Sequence, residues 1–555
     1  MLRENEGKRM KDKRALAVGL PLAYLYSFLL VMGRAYQKAE RHPLVVGWNY
    51  LWIFLLGIIA YPLIIGVWKW VIKRNSTMDL MRRKARLSRK YKIGVFIVIF
   101  LAWIPCWLAA YPGFFCYDAT QEFNTVYNGT FSAHHPILHS MLLTYPMMLS
   151  EKLFGTFNSG IALYCLLQML LGAGVFTYVI CFLHRYVERT WVTIMAVLYY
   201  MFSPVIVLFS SCTTKDVMSG LLVIVFILRY YELYLQESTE ERDGSIFSKV
   251  FFAVIIVLML FLRKNVAIAM VVFLLSQFCY QRQWKKRMFI LLIGLVIYYL
   301  CNSVLMKGLK AVDSPISEAL SIPAQQIAAV YTYEGGKDAF SEEQWDMLCK
   351  IFVEEELEGN YCPWVSDPIK QRIEDEYVSV HFIDFLRLWT QLLLEYPEHY
   401  FNAFFYMTYQ AWYPFTDMTG YNNTWYTYQE FETCFFACTV EAPGTLESVL
   451  PELFERIRTF SLMESIWKTP VVGMLCSVGF QLWLLLFAIG YSIYTKQKGW
   501  LVLQIFPCCL IFTNFMGPMV LVRYYLFLFY LLPIIVGTMM VRIKSEVYTK
   551  DEEGL

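Results

Sequence analysis

A single carboxylate, Asp118, stands in "YPGFFCYDATQ" (111–121), directly after a long apolar run, and the same stretch of chain continues to a histidine pair, His134 and His135, in "HHP". Three other polar clusters sit at the ends of apolar runs. "SSCTTKD" (210–216) carries Lys215 and Asp216, "RKN" (263–265) carries Arg263, Lys264 and Asn265, and "GPMVLVRYY" (517–525) carries Arg523 and Tyr524. Charges near membrane depth are costly and are functional candidates by default. The chemistry these types suggest is specific. Arginine and lysine bind phosphate oxygens, a helix start adds N–H donors for an anion, and one carboxylate can take a proton from a hydroxyl. Together they describe group transfer from a lipid phosphate. Each residue also has a plain structural reading. Lys215 and Lys264 can snorkel from span ends, Asp216 can stabilise a helix N-terminus capped by Thr213 or Thr214, the histidines can be interfacial, and Asp118 can be a loop acid. Arg523 is the exception. "VLVRYYLFLF" offers it no carboxylate at helical spacing, so its partner must come from elsewhere.

The elements that would position these groups follow from composition. Of 555 residues 58% are hydrophobic and 17% charged, against about 45–50% and about 25% for a soluble domain. The apolar excess falls in runs long enough to cross about 30 Å of hydrocarbon. The reading is an all-α polytopic membrane protein with about twelve spans, near 15–33, 47–71, 93–111, 160–183, 191–209, 216–235, 249–262, 265–281, 288–306, 470–494, 499–513 and 519–541; the seventh, eighth and eleventh are short. Basic segments orient them: "KRMKDKR", "KRNSTMDLMRRKARLSRKYK", "HRYVER", "QRQWKKR" and "TKQK" all fall on one face, the cytoplasmic one, with both termini. The first apolar run is too long for a cleavable signal peptide. The expected location is the plasma membrane, multi-pass.

Two large segments then lie outside. The expected organisation is an N-terminal two-helix membrane segment with a basic linker (1–92), a membrane core (93–307) whose first external loop is 112–159, an extracellular and mostly helical insert between spans nine and ten (308–469), and a C-terminal three-helix segment with tail (470–555). The insert is acidic ("FVEEELEG", "RIEDEY"), with helical-looking stretches at 341–357 and 368–395. It ends in an aromatic run, 400–432, suited to the headgroup interface or to stacking on sugars. In "SIPAQQIAAVY" (321–331), Gln325 and Gln326 could reach a hydroxylated substrate, although an amphipathic helix explains the segment as well. Of fourteen cysteines, Cys349, Cys362, Cys434 and Cys438 lie in the insert and permit one or two disulfides. No spacing marks a metal site.

The layout resembles the GT-C superfamily of membrane glycosyltransferases, which use polyprenyl-phosphate-linked sugars. "YPGFFCYDATQ" with "HHPILHSML" is similar to the first external loop of that superfamily, and Asp118 matches its acid. "TTKD" and "RKN" resemble polar turns of bacterial members. The chain departs from the common pattern in three respects. Asp118 has no adjacent acid, only Glu122 four residues on; two spans precede its span; and the large soluble segment is internal. The resemblance implies an enzyme that transfers sugar from a polyprenyl phosphate donor to a glycan, polymer, protein or lipid acceptor on the outer face, with Asp118 as general base. Substrate contacts are then expected from His134, His135, Lys215, Asp216, Arg263, Lys264, Asn265, Arg523 and Tyr524. No cofactor is required, a divalent cation is compatible, and nucleic acid is not a partner. The rival reading is a transporter or flippase of an anionic lipid or lipid-linked glycan, against which stand the absence of a repeat and the charges gathered near one face. A lipid-linked ligase or polymerase shares the chemistry with another donor, and histidine-based acyl transfer has no supporting arrangement.

Overall fold

The computed structural model describes residues 13–38, 42–78, 87–187, 189–238, 246–280, 285–353, 357, 359–416, 439–462 and 471–543. Helices dominate. In chain order they are α1 (Ala15–Gln37), α2 (Gly47–Arg74), α3 (Arg89–Ala109), α4 (Ala119–Tyr127), α5 (Ile137–Phe154), α6 (Asn158–Tyr186), α7 (Thr190–Phe202), α8 (Pro204–Ser210), α9 (Lys215–Ser238), α10 (Ile246–Leu262), α11 (Asn265–Tyr280) and α12 (Lys285–Gly308). The insert contributes α13 (Ser321–Tyr333), α14 (Glu342–Ile351), α15 (Phe382–Glu395) and α16 (Pro397–Trp412). The chain closes with α17 (Val478–Tyr494), α18 (Lys498–Asn514) and α19 (Leu526–Met539).

Among the described residues seven helices are long and apolar enough to cross a membrane: α1, α2, α3, α6, α9 over Lys215–Leu235, α12 over Arg287–Gly308, and Val522–Met539, which includes α19. The chain is thus a helical, membrane-embedded protein. Helices α7 and α8 make an eighth span if taken together, bent by 52°. The bend has a local cause. Ser203 precedes Pro204, and the proline ring drives it out of the helical region to φ −61°, ψ 121°. The remaining apolar helices, α10, α11 over Asn265–Gln277, α17 and α18, are shorter. Seventeen residues, as in α10, α17 and α18, rise only about 25 Å.

Burial sorts the helices into centre and periphery. The apolar windows of α9 and of Val522–Met539 are 83% and 89% buried, whereas that of α2 is 22% buried and those of α3 and α12 are 28%. The outer helices present bare apolar side chains, such as Trp48, Trp52, Phe54 and Leu63 on α2, which suit lipid. The two central segments begin at Lys215 and just before Arg523, so two of the site's cations are held by the most enclosed part of the fold. At the far end of α19, Val541–Ile543 (β2) pairs in parallel with Ser76–Met78 (β1) of the basic linker. No strand was expected there.

The insert has its own apolar core, built from α13, α14 and α15 around Ile327, Leu348, Phe385 and Leu388. Ser341 and Gln344 form a reciprocal cap at the start of α14. Gln325 and Gln326 are structural: Gln325 donates to the Cys362 carbonyl, while Gln326 donates to the Tyr400 carbonyl at 3.1 Å and accepts from Trp389 at 2.8 Å. The first part of the aromatic run is helix α16. It packs Phe405, Tyr406 and Trp412 around Tyr36 of α1, and Tyr36 Oη bonds Asn402 at 3.0 Å. The rest of that run, with Cys434 and Cys438, lies outside the described residues; Cys349 is exposed and Cys362 buried. The insert is also stitched to its surroundings. Val312 exchanges backbone bonds with Phe131 and Ala133, Lys264 bonds Ser314, and the Ser366 N–H donates to the Pro518 carbonyl at 2.9 Å, five residues before Arg523.

Where α16 ends, the Tyr413 backbone lies against Gly479 of α17 so closely that a Cβ on Gly479 would sit 2.3 Å from its carbonyl oxygen. Gly479→Ala should therefore cost about 1–3 kcal/mol and lower the melting temperature in detergent. Gly47→Ala, where a Cβ meets nothing within 4 Å, should leave it unchanged.

Candidate functional site

Two loops build the site, and backbone pairing sets their register. After α3 the chain crosses beneath the turn that precedes α9: the Phe114 N–H donates to Ser211 O at 2.9 Å, and the Thr213 N–H donates to Phe114 O at 3.0 Å. The crossing is tight. Gly113 has φ +136°, and a Cβ there would lie 2.3 Å from Cys165 Sγ; only glycine fits. Buried Gln168 of α6 fastens the other strand by donating to the carbonyls of Ser210 and Cys212 at 3.0 and 2.8 Å. Tyr117 then takes φ +64°, a conformation a tyrosine rarely adopts, and its ring lies 4.5 Å beneath the Arg523 guanidinium. These constraints deliver Asp118 to the start of α4, opposite Lys215.

Three carboxylates meet three cations here. Arg523 grips Asp118 with both terminal nitrogens, Nη1 to Oδ2 at 3.0 Å and Nη2 to Oδ1 at 3.3 Å. Lys215 Nζ donates to Asp118 Oδ2 at 2.7 Å and to Glu122 Oε1 at 3.3 Å. Asp216 bridges the arginines, with Arg263 Nη1 at 2.7 Å and Arg523 Nη1 at 3.7 Å. Tyr524 lies under both guanidiniums, 4.6 Å from Arg263 and 5.0 Å from Arg523. Asn265 and Arg263 share Asn514 Oδ1, at 2.7 and 3.5 Å, and Asn514 Nδ2 ties back to the Tyr524 carbonyl. Arg523 thus finds the distant partner that its own helix lacks. Beside the pairs lies a cleft of about 260 Å³, counting its mouth, lined among others by Asp216, Arg263, Asn265, Asn514, Arg523 and Tyr524. Arg523 Nε and Asn265 Oδ1 are buried there without a hydrogen-bond partner.

Behind Asp118 runs a second layer that the sequence reading left unassigned. Glu122, four residues on, is buried and bonded through Oε2 to His139 Nδ1 and to Ser140 Oγ. His139 Nε2 meets Tyr164 Oη at 2.7 Å. The available signal was spacing: Glu122 stands four residues after Asp118, which holds the cap position at the start of α4, and so lies on the same side of that helix; His139 stands four residues after His135.

The electrostatics follow from these contacts. Burial works to raise the Asp118 carboxyl, but Arg523, Lys215 and His135 overcome it and hold the group well below the usual carboxylate range. Glu122 behaves alike: burial raises it, His139 and Lys215 lower it further, and it settles at about 2. His135 is pushed down to about 4, first by burial and then by the Lys215 ammonium 3.0 Å from its Nδ1. At neutral pH it is the neutral imidazole, with Nε2 on Gln121 Oε1 at 3.0 Å.

Asp118, His135, Lys215, Asp216, Arg263, Asn265, Arg523 and Tyr524 are therefore brought together. Two residues are not. His134 is exposed; it stacks edge-on against His135 and lies 3.9 Å from Glu318 of the insert, away from Asp118. Lys264 is exposed and turns to Ser314 Oγ at 2.7 Å. In the tight turn its neighbours Arg263 and Asn265 face the cleft, which leaves Lys264 pointing outward.

Fold and site together define a class: a helical membrane-embedded protein with an ion-paired carboxylate beside a cationic cleft. The chain belongs to the DUF6020 family, a family of unknown function whose model matches residues 128–553. Asp118 and Glu122 stand just ahead of the matched stretch. No curated protein and no solved structure matches the chain.

The His135 shift has a consequence for stability. Because the folded imidazole takes its proton near pH 4 and an unfolded one near about 6.5, the unfolded chain binds more protons between those values. Stability is full above about pH 6.5 and declines as the pH falls toward 4. The melting temperature in detergent should drop across that window, and His135→Gln should flatten the drop.

Proposed function

We propose that this protein is a membrane glycosyltransferase of the GT-C type, which moves a sugar from a polyprenyl-phosphate donor to an acceptor hydroxyl at the outer face of the membrane. In this reading α7 with α8 and the four shorter apolar helices complete twelve crossings, and the insert is extracellular. The observation that carries it is the meeting of Asp118 with Lys215 and Arg523, three groups from distant segments, beside a cleft that Arg263 also lines. Two atoms of cleft-lining residues that have no hydrogen-bond partner, Arg523 Nε and Asn265 Oδ1, suit a phosphate oxygen and a hydroxyl respectively.

The mechanism is an exchange of partners. With no phosphate bound, Asp118 neutralises Arg523 and Lys215 and is a weak base. A donor phosphate in the cleft competes for the same guanidinium, where bidentate pairing is strong. As the cations turn to it, Asp118 loses the charges that depress it and becomes basic enough for an acceptor O–H. The acceptor oxygen attacks the anomeric carbon from the face opposite the phosphate, its proton passes to Asp118, and the carbon–oxygen bond to phosphate breaks. The electron pair leaves with the polyprenyl phosphate, whose charge Arg523 and Arg263 stabilise. Counting its mouth the cleft spans about 260 Å³, but its enclosed part has room for about one water, so its walls part to admit a phosphate and the sugar attached to it. A central cavity open to either side would favour transport, but the paired charges gather at one end of α9 and α19.

Purified protein supplied with labelled polyprenyl phosphate sugars should release polyprenyl phosphate and pass label to hydroxyl acceptors. Asp118→Asn should cut this about 10²–10⁴-fold, measured on protein whose folding is checked by its melting temperature, because the variant also removes a counter-ion of Arg523. Undiminished turnover by that variant would remove the base, and movement of intact donor into vesicles without bond cleavage would establish a transporter instead.

A further inference from the structure

The Lys215 ammonium has unusual company. Nζ lies 2.7 Å from Asp118 Oδ2, 3.3 Å from Glu122 Oε1 and 3.0 Å from His135 Nδ1. These three ligand atoms lie within 4.8 Å of one another. Two carboxylate oxygens and one imidazole nitrogen form a donor set for a divalent transition cation. The surroundings are those of such a site as well. A metal-bound imidazole has its second nitrogen fixed by an outer partner, and bound carboxylates are themselves hydrogen-bonded. Here His135 Nε2 meets Gln121 Oε1, Glu122 Oε2 meets His139 and Ser140, and Asp118 Oδ1 meets Arg523. Every ligand is oriented from behind, and the centre is filled by the tip of a lysine.

We propose that the Lys215 ammonium occupies the seat of a divalent cation, supplying its charge from the chain, and that removing this side chain uncovers a site for Mn²⁺ or Zn²⁺ formed by Asp118, Glu122 and His135. The ligands would close in by roughly 0.5–1.3 Å to reach metal bond lengths of about 2.0–2.2 Å. The consequence for the intact protein is a fixed positive charge that chelators cannot strip, in a place where a diffusible ion would need to be captured. This inference goes beyond sugar transfer and does not depend on it, because cation binding is read without any donor or acceptor present.

The test uses tag-free, chelator-treated full-length protein in detergent, titrated with Mn²⁺ or Zn²⁺ by calorimetry and equilibrium dialysis. Lys215→Ala should bind one ion per chain at least tenfold tighter than wild type, and the gain should vanish when His135→Ala is added. Equal binding by wild type and Lys215→Ala, or none by the variant, would overturn the proposal. If Lys215→Ala does not stay folded alone, it should be recovered as a monodisperse species when purified in Mn²⁺, while Lys215→Met, which fills the seat, should not respond. Failure of the ion to rescue Lys215→Ala, or equal rescue of Lys215→Met, would count against the seat.

Discussion

The architecture around the site depends on compensating the positive charge of Arg523 in a low-dielectric setting. Arg523 starts a segment whose apolar window is 89% buried, and a guanidinium stripped of a counter-ion there is expensive: breaking a buried pair costs about 3–5 kcal/mol. No acid on its own helix can reach it, so Asp118 must arrive from the first loop and Asp216 from the start of α9. That requirement explains the tight backbone around Gly113, the left-handed Tyr117, and the Gln168 side chain that pins the turn at 210–212. Local strain here is held by the fold and placed where two loops must meet at fixed register.

The same pairing gives the site its chemical character. A carboxylate clamped by a guanidinium and an ammonium is a poor base, and a guanidinium occupied by a carboxylate is a poor anion receptor. Each is masked by the other until a competing anion arrives. In the proposed transfer, this ion-paired arrangement makes activity conditional on what enters the cleft. Glu122, His139 and Tyr164 extend the network inward, so the orientation of Lys215 is fixed from two sides.

Much of this was legible in the sequence because charge is conspicuous against an apolar background. Asp118, Lys215, Arg263 and Arg523 stood out at the ends of long runs, and Arg523 declared its need for a remote partner. Less was legible where identity depended on direction. In "RKN" the three side chains diverge from one tight turn, and composition cannot say that Lys264 leaves while its neighbours stay. Glu122 and His139 carried little signal beyond their four-residue spacing from Asp118 and His135. The aromatic run looked interfacial because aromatic residues serve interfaces and cores equally; only tertiary packing of α16 against Tyr36 decides. The parallel pairing of Ser76–Met78 with Val541–Ile543 had no local signal, as three residues carry no period. The shorter apolar helices show why span counting is hardest where a helix falls below the thickness it must cover.

The stitching of the insert has a mechanical consequence. One seam, at Val312, grips the chain between α4 and α5, from which His135 reaches the acid; another, at Ser366, grips the chain five residues ahead of Arg523. The insert thus works as a clasp with two fastenings, one on each jaw of the ion pair. Both sides of the ion pair are thereby tied by backbone bonds to the same stretch of chain, the carboxylate side through Val312 and the guanidinium side through Ser366.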